Sequence, residues 1–154
     1  MQVMDSDSTM VLIDTNVLIS ALISGSGPPG QLLSAVKRGD LALVTSEYQL
    51  DELRKVLARE KLRPYIKPEE AQDLIDNLHA AGTLISELPE CELSPDPADN
   101  PILATAIAGK ANLIVSGDKT DMLALGHAGD IRIISPASAL SELARVRHRR
   151  LGPD

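Results

Sequence analysis

Four acidic residues are placed where chemistry could be done: Asp14, Glu52, Asp99 and Asp118. Asp14 directly follows the apolar run Met10 to Ile13, and Asp118 follows Leu113 to Val115 by three residues. Asp99, with Asp96 close by, lies just before Pro101. Several carboxylates in one cleft repel one another unless they are protonated or bind a metal. An all-oxygen ligand set without His or Cys selects Mg²⁺ or Mn²⁺. Such an ion can activate water and neutralise charge on a phosphodiester during its cleavage. Each acid also has a plainer use: Asp14 and Asp118 as helix caps, Asp99 as a loop or cap residue, Glu52 as part of a solvated helix face.

The elements that must position these acids follow from hydrophobic periodicity. Met10 to Ile13 reads as a short buried strand, with a helix from about Asn16 to Ile23. The turn around Gly25 to Gly30 leads into a helix from about Gln31 to Arg38, and Leu41 to Val44 is a second strand. Ser46 and Gln49 form a capping-box pattern opening a helix that runs to about Ala58. On a 3.6-residue period Glu52 lies on the shoulder of that helix's apolar stripe, beside Gln49 and Val56, whereas Asp51 points to solvent. Pro68 opens a helix ending near Gly82, and Thr83 to Ile85 is a weak strand. After a loop rich in Pro and acid, Pro101 opens a helix to Gly109. Leu113 to Val115 and Ile131 to Ile134 are further strands, with a short helix around Met122 between them and a last helix from Pro136. Strands alternating with helices predict a parallel sheet covered on both faces. The carboxyl ends of such strands meet at one edge, where ligands collect.

Composition narrows the function classes. The chain has 154 residues, is 44% hydrophobic and carries a net charge of −7, which fits one globular domain. With no Trp, no Phe and two Tyr, base stacking on an aromatic platform is not expected. Cys91 is single and the histidines His79, His127 and His148 are scattered, so neither a disulfide nor a zinc cage is expected. The absence of a long apolar stretch or signal-peptide pattern predicts a cytoplasmic protein. The negative charge argues against broad nucleic-acid binding but not against a local basic track. Arg54, Lys55, Arg59, Lys61, Arg63 and Lys67 stand against Glu60 alone, so Arg54, Lys55 and Arg59 are candidates to hold phosphates leading to the acids. A solvated helix end would account for the same charges. The expected organisation is a tail at residues 1–9, a domain over 10–144, and a basic tail over 145–154.

The segments VLIDTNVLISAL, SEYQLDEL and DPADNPILATAIAGKANLIVSGDKTDMLAL resemble the PIN-domain proteins, especially the bacterial toxin components of toxin–antitoxin pairs. The resemblance covers about Val11 to Leu140. It implies a three-layer α/β/α fold with a central parallel sheet and a Mg²⁺- or Mn²⁺-dependent ribonuclease site. The family's acidic positions fall on Asp14, Glu52, Asp99 and Asp118, and Asn16 matches its polar support residue. Ser116 stands where many members have Thr, which keeps the hydroxyl, and Asp96 and Asp121 are possible additional acids. The resemblance further implies an RNA substrate, an antitoxin partner and a homodimer.

Two other functions compete. One is a non-catalytic RNA-binding or scaffold PIN domain. The other is a phosphoryl-transfer domain with Asp14 as nucleophile. A dehalogenase-type phosphatase would want a second Asp where Asn16 stands, and a receiver would want an acceptor Asp where Ser86 and Glu87 follow a middle strand.

Overall fold

The central strands are short apolar runs whose residues are mostly buried, on one face of the sheet or the other. A computed structural model describes residues 9–151. Residues 1–8 of the expected N-terminal tail and 152–154 of the C-terminal one lie outside the described residues. Strand β1 (Met10–Ile13) leads into helices α1 (Thr15–Ile23) and α2 (Pro28–Lys37), then β2 (Ala42–Ser46). Helices α3 (Glu47–Leu57) and α4 (Pro68–Ala81) follow, with a single 3-10 turn at Glu60–Leu62 between them, and then β3 (Thr83–Ile85). A 3-10 turn at Pro97–Asp99 opens α5 (Asn100–Ala108), followed by β4 (Leu113–Val115) and α6 (Met122–Leu125). The chain ends with β5 (His127–Ala128), β6 (Ile131–Ile134) and α7 (Pro136–Leu151).

The sheet order is β3-β2-β1-β4-β6-β5. All neighbours are parallel except β5 and β6, which form a small antiparallel edge hairpin that the periodicity did not predict. Its turn uses Gly129 at φ 61, a conformation that glycine adopts without strain. Alternate residues of each strand feed two cores. Val11, Ile13, Leu43, Leu113 and Val115 pack with α1, α2, α3, α4 and α7 on one face. Leu12, Val44, Ile114 and Ile133 pack with α5 and α6 on the other. This is the three-layer α/β/α arrangement with a mostly parallel central sheet. Helix α7 carries the backbone of residues 145–151, so that part of the expected basic tail is helical.

From β1 the chain progresses through β2 to β3 on one side, then returns to β4 and β6 on the other. The direction reverses between β1 and β4. In open parallel sheets a crevice forms at such a reversal, outside the carboxyl ends of the strands.

Candidate active site

Asp14 and Ser116 are the residues that follow β1 and β4, and they face each other across the reversal. The Asp14 amide donates to the Val115 carbonyl at 2.9 Å and the Ser116 amide to that of Ile134 at 3.0 Å, so the ladder runs up to the site. Asp14 is the N-cap residue of α1, yet its side chain makes no cap hydrogen bond. Its carboxylate accepts instead from Ser116 Oγ at 2.9 Å. The plain capping role is therefore not the one the side chain takes.

Glu52 projects from α3 toward α1, where Thr15 Oγ1 donates to Glu52 Oε1 at 2.6 Å. Asp99 is set by the 3-10 turn before α5, and Ser94 Oγ donates to Asp99 Oδ2 at 3.0 Å. Asp96 shapes the same turn, accepting from the Ala98 amide at 3.0 Å. Asp118 Oδ1 accepts from Thr120 Oγ1 at 2.9 Å and from the amides of Thr120 and Asp121 at 3.1 and 3.3 Å. That oxygen organises the turn into α6, whose N-cap residue is Asp121 rather than Asp118.

These acids act on one another. Burial raises the pKa of Asp14 above the usual carboxylate value; Ser116 and the Thr15 amide oppose the shift, and the charges of Asp99 and Glu52 add to it. Burial likewise raises Asp99 against the Ser94 hydrogen bond, reinforced by the charges of Asp96, Asp118 and Asp121. Burial also pushes on Asp118, but hydrogen bonds from Thr120 Oγ1 and the amides of Asp121, Thr120 and Met122 outweigh it and hold that pKa low. Carboxylate oxygens of Asp96, Asp99 and Asp121 lie within 4.8 Å of one another.

The partners of the acids share a chemical type. Ser116, Thr15, Ser94 and Thr120 all offer neutral hydroxyls. The ion pairs Arg38–Asp40, Arg54–Asp51, Arg132–Glu142 and His79–Glu47 involve none of these acids. Hydroxyls orient a carboxylate without neutralising it, so among the described residues no ion pair offsets the negative charge of these acids. A hard divalent cation fits that donor set.

The pattern of the PIN domain matches residues 10–120 of the chain. The chain belongs to the PIN-domain family. An uncharacterised protein of Methanocaldococcus jannaschii, MJ1680, is 31% identical over 126 residues, covering 81% of this chain and 80% of that protein. Among solved structures, VapBC2 from Rickettsia felis, bound to a DNA fragment from its promoter, superposes with TM-score 0.54 at 16% identity. That match covers 82% of this chain and 98% of the other. PAE2754 from Pyrobaculum aerophilum gives TM-score 0.50 at 14% identity, covering 89% and 90%. At these identities the two structures show a common fold.

This PIN domain divides its basic tract between two flanks of α3. Successive helix residues are about 100° apart, so Arg54 lies roughly opposite Glu52 across the buried stripe of Gln49, Leu50 and Leu53. Arg54, Arg63 and Lys67 rim a separate groove against α4, floored by Leu57, Ile66 and Ile75. Lys55, 60° from Glu52 on the same helical projection, is on the solvent side of the acid-bearing flank. Arg59 is exposed just beyond the helix end. Asn16 is exposed, and Thr15 rather than Asn16 makes the link to Glu52. Thr15 and Ser94 carried no signal in the sequence beyond their hydroxyls, because their partnerships depend on the fold.

Proposed function

We propose that this PIN domain is a Mg²⁺- or Mn²⁺-dependent endoribonuclease that cleaves RNA phosphodiester bonds and serves as the toxin of a toxin–antitoxin pair. The observation that carries this reading is the cluster of carboxylates at the sheet reversal, oriented by hydroxyls and, among the described residues, in no ion pair. Asp14, Glu52, Asp99 and Asp118 are the residues assigned to hold the metal, with Asp96 and Asp121 close enough to Asp99 to join them. When bound, the ion supplies water activation and charge neutralisation at the scissile phosphate. Ser116, Thr15 and Ser94 keep three of the carboxylates pointed into the cleft. Lys55 and Arg59 are assigned to phosphates of the approaching strand, with Arg54 contributing from the far flank.

The fold shared with VapBC2 supports an antitoxin protein as partner, and the family resemblance supports a homodimer. Among the described residues no helix is long and apolar enough to cross a membrane; the cytoplasm is the location assigned to this activity. Incubating the purified protein with mixed RNAs in Mn²⁺, Mg²⁺ or EDTA tests the reading. Cleavage that requires the cation and vanishes in Asp14→Asn is expected. Metal-independent cleavage, or cleavage undiminished in Asp14→Asn, would overturn the mechanism; cation binding without cleavage of any RNA would favour a scaffold role.

A further inference from the structure

A buried polar network lies beneath the acidic cleft. Thr45, Ser46, Gln49 and Thr105 are each at most 1% exposed, and polar groups persist at such burial when their hydrogen bonds are made. Gln49 Nε2 donates to the Ile13 carbonyl at 2.7 Å, and Thr45 Oγ1 donates to Gln49 Oε1 at 2.7 Å. Because a carbonyl only accepts, the amide nitrogen must face Ile13. Ser46 Oγ accepts from the Gln49 amide at 3.1 Å and lies 2.8 Å from Thr105 Oγ1. Thr105 Oγ1 donates to the Pro101 carbonyl at 2.8 Å, in the first turn of α5, so its single proton is taken there and the Ser46 hydroxyl donates to Thr105.

The network fills a gap in the sheet. Pairing of β1 with β2 is registered at Met10↔Ala42 and Val11↔Leu43, whereas β2 continues with β3 up to Ser46↔Ile85. The two central strands part before Ile13, and the Gln49 amide takes the place of a strand partner for its carbonyl. The other side of the same peptide group is held as well, since the Asp14 amide donates to Val115. The peptide that carries Asp14 is thus clamped at both polar atoms. From that peptide the network runs through α3, which bears Glu52, to α5, whose N-terminus bears Asp99.

We propose that Gln49, acting with Ser46 and Thr105, is a positioning residue that fixes the separation of Asp14 and Asp99 so that both face one divalent cation. This inference rests on the reading of the cleft as a cation site. Gln49 acts through the Ile13 carbonyl, and Thr105 acts through the first turn of α5. A fully satisfied buried network selects one arrangement of the elements it joins, and here those elements are the three that carry Asp14, Glu52 and Asp99.

The test is Mn²⁺ affinity measured calorimetrically on the full chain, with thermal melts in EDTA alongside. Gln49→Met and Thr105→Val should bind Mn²⁺ about 10- to 100-fold more weakly, the usual effect of removing an outer support of a metal site. Thr105→Ser, which keeps the hydroxyl, should bind as the wild type does. If Gln49→Met fails to fold, the Thr105 pair still decides. Folded variants that melt lower but bind Mn²⁺ like wild type would overturn the inference alone, leaving the network a role in the fold only. A wild type without Mn²⁺ affinity would overturn the cation reading and this inference with it.

Discussion

Replacing Asp14 by Asn removes one charge from the acidic cleft while hardly changing the side chain's shape. Asp14 is harder to ionise in the fold than in water, because burial raises its pKa and neither Ser116 nor the Thr15 amide cancels the effect. A carboxylate whose folded pKa exceeds its unfolded value destabilises the fold where it is charged, and the cost disappears as pH falls through the folded pKa. Asn keeps an acceptor for Ser116 Oγ and carries no charge. The metal-free variant should therefore be more stable than wild type at neutral pH, with the difference closing on acidification. Relaxing a functional-site residue is worth about 1 kcal/mol. For a chain of 154 residues the unfolding entropy is about 0.3 kcal/mol/K, so the melting temperature should rise by about 3 °C. Mn²⁺ works in the opposite sense. At a hundredfold excess over Kd, mass action should stabilise the wild type by about 2.7 kcal/mol, or about 8 °C, and the variant far less. Melts of both proteins in EDTA and in Mn²⁺, at neutral and mildly acid pH, measure all of these quantities. A variant no more stable than wild type in EDTA, with an undiminished Mn²⁺ shift, would refute the placement of Asp14 in a crowded cation site.

Asp99→Asn, Asp118→Asn and Glu52→Gln should each abolish cation-dependent RNA cleavage with circular dichroism unchanged; loss in Asp96→Asn with activity retained in Asp99→Asn would move the third ligand to Asp96. Lys55→Ala with Arg59→Ala should flatten the salt dependence of RNA binding by about 1.4 in log–log slope, the loss expected for two single-strand phosphate contacts. Adding Arg54→Ala should change the slope less, because Arg54 lies on the flank away from Glu52; an unaltered slope in the double variant would return these cations to a solvated face. Gly30→Ala should lower stability by about 1–3 kcal/mol in denaturant titration, because a Cβ there would sit 2.2 Å from the Gly25 carbonyl oxygen where α2 meets the preceding turn. An Ala variant as stable as wild type would show that this turn shifts freely.

Element order and type were legible because parallel strands buried on both faces are short apolar runs. Strand β1 was readable to the residue at Met10–Ile13 for that reason. Strand β5 has two residues and no period, so its antiparallel pairing with β6 left no pattern to read. The placement of Asp14 and Asp118 just after the carboxyl ends of β1 and β4 was legible too, since it follows from element order alone. Which way each side chain turns does not. Asp118 spends one oxygen on its own turn, and Asp121, which the resemblance offered only as an additional acid, is the acid whose oxygen lies near those of Asp96 and Asp99. Thr15 reaches Glu52 across 37 residues, a pairing that only the α1–α3 contact creates.

Gln49 shows how one local pattern can conceal another. At the third residue of a helix after an N-cap Ser, Gln is expected to reach back to the cap's amide. Half of that box forms, since Ser46 Oγ accepts from the Gln49 amide. The other half does not, because the Gln49 side chain turns inward to Ile13 and Thr45. The conflicting signal lies in the helical period: Gln49 falls on the same stripe as Leu50 and Leu53, where an apolar residue is the rule. An amide on a buried stripe is costly unless something beneath it needs a donor and an acceptor together. Here the parted strands β1 and β2 supply that need, at the peptide bond that joins Ile13 to Asp14.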